Sequence, residues 1–303
     1  MGVTWGRPGG LLLVFGVVSL AAVAVGAFVS ASSDVAAASW VRNLAAWGVG
    51  AGAGIGLATA FRPRFLSLFL CAMPLGLAAA LFSPDQSGVH RWVDVGPLHV
   101  NMALLLLPAG VVALSALARD SRWPWLVVLA SLALLVVQPD ASQATTLATA
   151  AALVAIAVVR PLAPRSALVV AVGVLAVLAW LRPDPLQPVA EVEGIIGLAW
   201  SVSPVAALAA IALLAAIGAA PAALTLTGPT AVGVAGFGLS ACFAAWAIAP
   251  LLGAFPVPFV GIGMSAILGA WLGVGLLAGL LGRAEIGHDQ RGADASIPPR
   301  PAL

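Results

Sequence analysis

Residues 10–30 read GLLLVFGVVSLAAVAVGAFVS, an unbroken apolar run without a charged side chain. About 20 such residues coil into a helix about 30 Å long, the thickness of a bilayer's hydrocarbon core. A signal-peptide core is shorter than this, so the run reads as a first membrane span. It decides the fold because it recurs. Outward from it, charged or Pro/Gly breaks separate further apolar stretches at Leu44–Ala60, Phe65–Phe82, His99–Leu117, Pro124–Val137 and Ala144–Val159. The series continues with Ala167–Leu181, Gly194–Ile217, Ala231–Leu252 and Val257–Leu281. The stretch Pro124–Val137 is short for a crossing, and with the next it flanks the break Gln138-Pro139-Asp140. The expected architecture is an all-α, polytopic integral membrane protein of about ten transmembrane helices, or about eight if segments five and six are re-entrant. Residues 1–282 make one transmembrane domain in this reading. Residues 283–303, with Arg291, Asp294 and Pro298-Pro299, are expected to be a disordered cytoplasmic tail.

Composition points the same way. Hydrophobic residues make up 62% of the chain and charged residues 8%, with a mean hydropathy of +1.12. Soluble domains carry about a quarter charged residues, so most of this surface must face lipid. A net charge of +2 from scattered loop arginines sets membrane orientation and gives no surface for nucleic acid. The basic residues are all arginine, which excludes lysine amine chemistry. Cys71 and Cys242 sit far apart within apolar stretches, and His90, His99 and His288 lack a metal-ligand spacing; neither a disulfide nor a metal site is expected.

Arginine counts orient the chain. With the N-terminus in the cytoplasm, only Arg42, Arg91 and Arg182 of the 13 fall outside. Both termini are then cytoplasmic. Trp40, Trp92, Trp123 and Trp180 stand near span ends, as interfacial tryptophans do. Most acidic residues collect on the outer face, among them Asp85, Asp94, Asp140, Asp184, Glu191 and Glu193. Chemistry, if the chain performs any, belongs there.

Four outer segments carry the candidate residues. In Arg91-Trp92-Val93-Asp94, Arg91 and Asp94 are three apart. On a helical turn they pair across one face, or Arg91 grips a lipid phosphate; the segment also reads as an interfacial turn anchored by Trp92. Gln138-Pro139-Asp140 breaks a helix and supplies side chains for the freed backbone groups, or is simply a capped turn. Glu191 and Glu193, spaced by two, point in different directions at the start of the eighth span. One is thereby a candidate acid or base facing a membrane-embedded substrate, and a helix-capping acidic pair is the alternative. The run Phe255–Ser265, with two prolines and two glycines, permits an irregular entry and close helix crossing.

In this order the four segments resemble the SEDS family (shape, elongation, division and sporulation), which includes FtsW, RodA and SpoVE. Arg91-Trp92-Val93-Asp94-Val95-Gly96 is similar to its R-W-I-D-L-G, and Gln138-Pro139-Asp140 with Ala144 to its Q-P-D-x-G-T-A. Pro258-Phe259-Val260 with Gly263 and Ser265 is similar to its P-F-I-S-Y-G-G-S. The segment from Glu191 aligns on H-T-D-F-I-F, which puts Glu193 on the family's catalytic aspartate. Departures accompany the likeness. Asn101–Leu107 lacks the Glu and Lys of Q-P-S-E-x-x-K, Ser201 and Val202 replace an acidic pair, and the large outer loop shrinks to Arg182–Ala190.

The resemblance implies a divergent SEDS-like protein of the bacterial cytoplasmic membrane, acting in peptidoglycan synthesis, cell division or cell shape, and a glycosyltransferase polymerising lipid II if active. Glu193 would be catalytic; Arg91, Asp94, Asp140, Glu191 and Ser265 are the candidate substrate-binding residues. No cofactor is implied beyond a divalent cation on the lipid pyrophosphate. The implied partners are membrane lipid, the lipid-linked sugar, and a class B penicillin-binding protein or divisome component. A second reading keeps the fold as a non-catalytic scaffold. A third, a lipid-linked substrate transporter or flippase, meets few charges at midplane depth and no inverted repeat.

Overall fold

The computed structural model describes residues 7–226, 228 and 230–295. Eleven α-helices are described: α1 Arg7–Ser32, α2 Ala37–Thr59, α3 Arg64–Ala80, α4 Met102–Leu117, α5 Trp123–Val137, α6 Ala141–Val158, α7 Leu162–Trp180, α8 Ile195–Val202, α9 Pro204–Thr225, α10 Thr230–Ile248 and α11 Met264–Ala295. Between α3 and α4 stands one antiparallel hairpin, β1 Trp92–Val95 and β2 Leu98–Asn101. Among the described residues, six helices are long and apolar enough to cross a membrane, and α3, α4 and α5 are shorter apolar helices.

Helix α11 is the hub, packed against α1, α2, α4 and α10, while α7 touches only α5 and α6 among the stronger contacts. Lipid is as apolar as a leucine side chain, so close fit and hydrogen bonding hold such helices together. The crossing of α2 and α11 shows how. A Cβ on Gly275 would lie 2.4 Å from the Gly54 carbonyl oxygen, so only glycine lets the two backbones approach. Trp271 meets Trp47 and Phe15 edge to face. Two buried hydroxyls are satisfied within their own helices: Ser115 donates to the Val111 carbonyl and Thr225 to that of Pro221, which avoids an orphaned donor in a dry interior.

The structure corrects several expectations. The stretch Gly194–Ile217 is two helices, not one. Ser203 takes an extended backbone (φ −163°), Pro204 follows at the first position of α9, and Ser203 accepts a hydrogen bond from the Ala206 N–H at 3.4 Å. Proline has no N–H to continue α8, yet it fits the first turn of a new helix. Residues Trp92–Asn101 are strands and not a helical turn. The final helix starts at Met264, leaving Val257–Gly263 irregular, and continues to Ala295, so the first part of the expected disordered tail is helical. Residues 296–303 lie outside the described residues. Helices α5 and α6 run between opposite ends of the bundle, although α5, with 15 residues, is only about 22 Å long.

Candidate active site

The hairpin, the α5–α6 turn, the loop after α7 and the loop before α11 meet at one end of the bundle. Where they meet is a small cavity of about 40 Å³, lined by Arg91, Asp140, Gln143 and Glu193 among others. It has room for roughly three waters.

Arg91 is the centre of charge. Its residue is only 6% exposed, and Nη2 donates to Asp184 Oδ2 at 2.6 Å and to the Pro139 carbonyl. Its Nε lies 3.7 Å from Asp140 Oδ2 and has no hydrogen-bond partner. One buried cation therefore faces two carboxylates from different loops, as a low-dielectric site requires. The expected pairing of Arg91 with Asp94 does not occur. Strand geometry places Asp94 opposite His99, and their side chains meet at 2.6 Å on the exposed face of the hairpin.

Asp140 caps α6. Its Oδ1 accepts from the Gln143 N–H at 3.2 Å and from the Ser142 hydroxyl at 3.0 Å, which satisfies donors that every helix start leaves open. The capped-turn reading of this segment is thus correct, and the same carboxylate also faces Arg91. A polar chain continues inward: Gln143 Nε2 donates to Ser142 Oγ, and Gln143 Oε1 accepts from the Trp246 indole at 2.8 Å. Gln138 anchors the turn from below by donating to the Leu77 carbonyl on α3.

Glu193 is half-buried in the turn before α8, and its Oε2 accepts from the Val189 N–H at 2.8 Å. Burial pushes its pKa above the ordinary 4.5, and the nearby charges of Asp184 and Glu191 push the same way, against hydrogen bonds from backbone N–H groups. A second loop holds this turn. The Glu191 carbonyl accepts from the Ile262 N–H at 2.9 Å and the Val192 carbonyl from Val257 at 3.2 Å. A Cβ on Gly261 would sit 2.4 Å from the Val192 oxygen, which explains glycine there. Asn43 of α2 closes the clamp, donating to the Gly261 carbonyl at 2.9 Å and accepting from the Gly263 N–H at 3.0 Å.

Arg91, Asp140 and Glu193 thus line one cavity. Asp94, Glu191 and Ser265 do not line it. Ser265 is buried, and its hydroxyl accepts from the Asn101 N–H at 3.0 Å, tying the hairpin to α11. Sequence reasoning did not single out Asp184, Gln143, Trp246 or Asn43 for the site. Asp184 had a signal, since it is one of the acids of the short outer loop, and so did Gln143, which stands within the segment that follows Gln138-Pro139-Asp140; Trp246 and Asn43 lie in largely apolar helices outside the four outer segments.

No protein-family model matches the sequence, and no curated protein matches it significantly. Solved structures do match. The rod-shape-determining protein RodA of Thermus thermophilus is 21% identical, covers 93% of this chain and 98% of its own, and superposes with a TM-score of 0.67. An aspartate-to-alanine variant of that protein gives 22% identity, 93% and 99% coverage, and a TM-score of 0.68. A chain from a peptidoglycan synthase complex that coordinates polymerization and crosslinking gives 20%, 93% and 99%, and 0.65. Over nearly its whole length, this chain has the polytopic membrane fold of RodA.

Proposed function

We propose that the chain is a SEDS protein that polymerises glycan strands from a lipid-linked sugar at the outer face of the bacterial cytoplasmic membrane. One observation carries the reading: a half-buried carboxylate with a raised pKa, Glu193, lines the same cavity as a buried guanidinium, Arg91. Glycosyl transfer needs both functions. Glu193 takes the proton of the acceptor hydroxyl as its oxygen attacks the anomeric carbon of the donor. The bond from that carbon to the lipid pyrophosphate breaks, the bonding electrons go to the pyrophosphate oxygen, and the Arg91 guanidinium, which keeps its protons, offsets the charge that develops there. A base whose pKa approaches the working pH is better matched to this task than an ordinary carboxylate. A divalent cation would enter on the pyrophosphate. The arginine distribution supports cytoplasmic termini, and the likeness to a peptidoglycan synthase chain supports a class B penicillin-binding protein as partner.

Scaffolding is the second reading, and one feature favours it. Arg91 already faces Asp140 and Asp184, so much of its charge is neutralised without substrate. The test is glycan polymerisation from lipid II by the purified protein, alone and with its co-purifying partner, comparing wild type with Glu193→Gln. Loss of about 100-fold or more in the variant supports the transferase. Absence of polymer from the wild type, where an authentic family member works, favours the scaffold. Polymer that persists in the variant excludes Glu193 as the base.

A further inference from the structure

At the end of the bundle opposite the cavity, a wide groove opens between α5 and α7. It encloses about 930 Å³, within the range of about 300–1,000 Å³ typical of small-molecule sites. The sequence of α7 explains the opening. Pro164, Ala167 and Ala171 lie on one face at helical spacing, and they present too little side chain to fill the space facing Trp125 and Leu129 of α5. Only 11% of the α7 span is buried within the protein, against 78% for α11. The rest of α7 is left uncovered by the other described residues.

The rim has the opposite character. Arg119 and Arg122 from the α4–α5 loop and Arg160 from the α6–α7 loop border the groove, with Asp120 the one acid among its lining residues. The three arginines are exposed, and none forms an ion pair among the described residues. A cationic rim over an apolar wall, at the depth where helices end, has the form of a phospholipid in two parts.

We propose that this groove binds one anionic phospholipid, with its phosphate among Arg119, Arg122 and Arg160 and an acyl chain along the Ala167–Ala171 face of α7. The planar guanidinium suits phosphate oxygens, and basic pockets between helices on the cytoplasmic side recognise such headgroups. A neutral lipid leaves the arginines uncompensated, and a soluble anion leaves the apolar wall bare. The inference rests on membrane embedding and is independent of the glycan reading.

The full chain in phosphatidylcholine nanodiscs, titrated with phosphatidylglycerol and read by native mass spectrometry, tests it. One phosphatidylglycerol should be retained, with affinity falling about fivefold per arginine replaced by glutamine at 119, 122 and 160. Arg62→Gln with Arg64→Gln, at the same end of the bundle, should leave retention unchanged. Ala171→Trp fills the wall without altering charge and should also expel the lipid. Equal loss in the Arg62/Arg64 pair would overturn the site in favour of diffuse surface attraction. Retention that survives the triple replacement or Ala171→Trp would overturn it too. So would inorganic phosphate competing as well as the lipid, because the groove would then be an anion site only.

Discussion

The two ends of this bundle handle arginine in opposite ways. At the hairpin end Arg91 is nearly sealed from solvent and held by Asp184, Asp140 and a backbone carbonyl. At the other end Arg119, Arg122 and Arg160 stand exposed over an apolar groove. The same side chain is thus part of a built polar interior in one place and a solvated rim in the other. All four arginines lie in segments between membrane helices, so residue type and loop placement do not distinguish the two ends. The partners do: Arg91 faces carboxylates from two loops remote in sequence, whereas none of Arg119, Arg122 and Arg160 forms an ion pair among the described residues. That difference separates a guanidinium already paired inside the protein from a rim left open to an outside anion.

Matched substitutions break or sharpen the contrast. The largest expected effect is Arg91→Gln, which strands the Asp140 carboxylate at 2% exposure. Removing one partner of a buried pair costs about 3–5 kcal/mol. Arg160→Gln, on an exposed rim, should change stability by no more than about 0.5 kcal/mol. Unfolding of both variants in the same detergent checks this, and equal losses would erase the distinction. Next is Gly261→Ala, whose Cβ meets the Val192 carbonyl oxygen at 2.4 Å. The Glu193 turn must move, and a displacement of about 1 Å lowers turnover about 100-fold; polymerisation assays on a properly folded sample read it. Trp246→Phe is milder. It deletes the donor to Gln143 Oε1, and an unsatisfied buried acceptor costs about 1–3 kcal/mol, measurable as a lowered unfolding midpoint.

How far these features were legible from sequence follows from how local their causes are. The spans were legible because membrane burial acts residue by residue, and the helices fall where the apolar runs fall. Pro204 was a readable signal for the break between α8 and α9, but a continuous apolar run masks one extended residue, Ser203. The hairpin was missed because Arg91-Trp92-Val93-Asp94 has the spacing of a helical pair. What makes it a strand is its partner, with Asp94 opposite His99 and Val95 opposite Leu98. Within the site, Arg91, Asp140 and Glu193 could be read from polar residues interrupting apolar sequence. The clamp by Asn43 could not, because its two hydrogen bonds reach 218 and 220 residues along the chain.

The smallest expected effect is a pH dependence carried by Glu193. Folding raises the Glu193 pKa above its ordinary 4.5, chiefly by burial, so the native state holds this proton where the unfolded chain has released it. The stability this proton contributes is complete below the ordinary value and is lost as pH rises through the window up to the raised value. Glu193→Gln is neutral throughout and should flatten the stability curve in that window. Activity must run the other way. A base works only after losing its proton, so polymerisation should climb on a limb displaced above that of an ordinary carboxylate. Unfolding midpoints and initial rates measured from pH 4 to pH 8 should therefore show opposite slopes over the same interval, and slopes of one sign would mean that the titrating group is not the catalytic one.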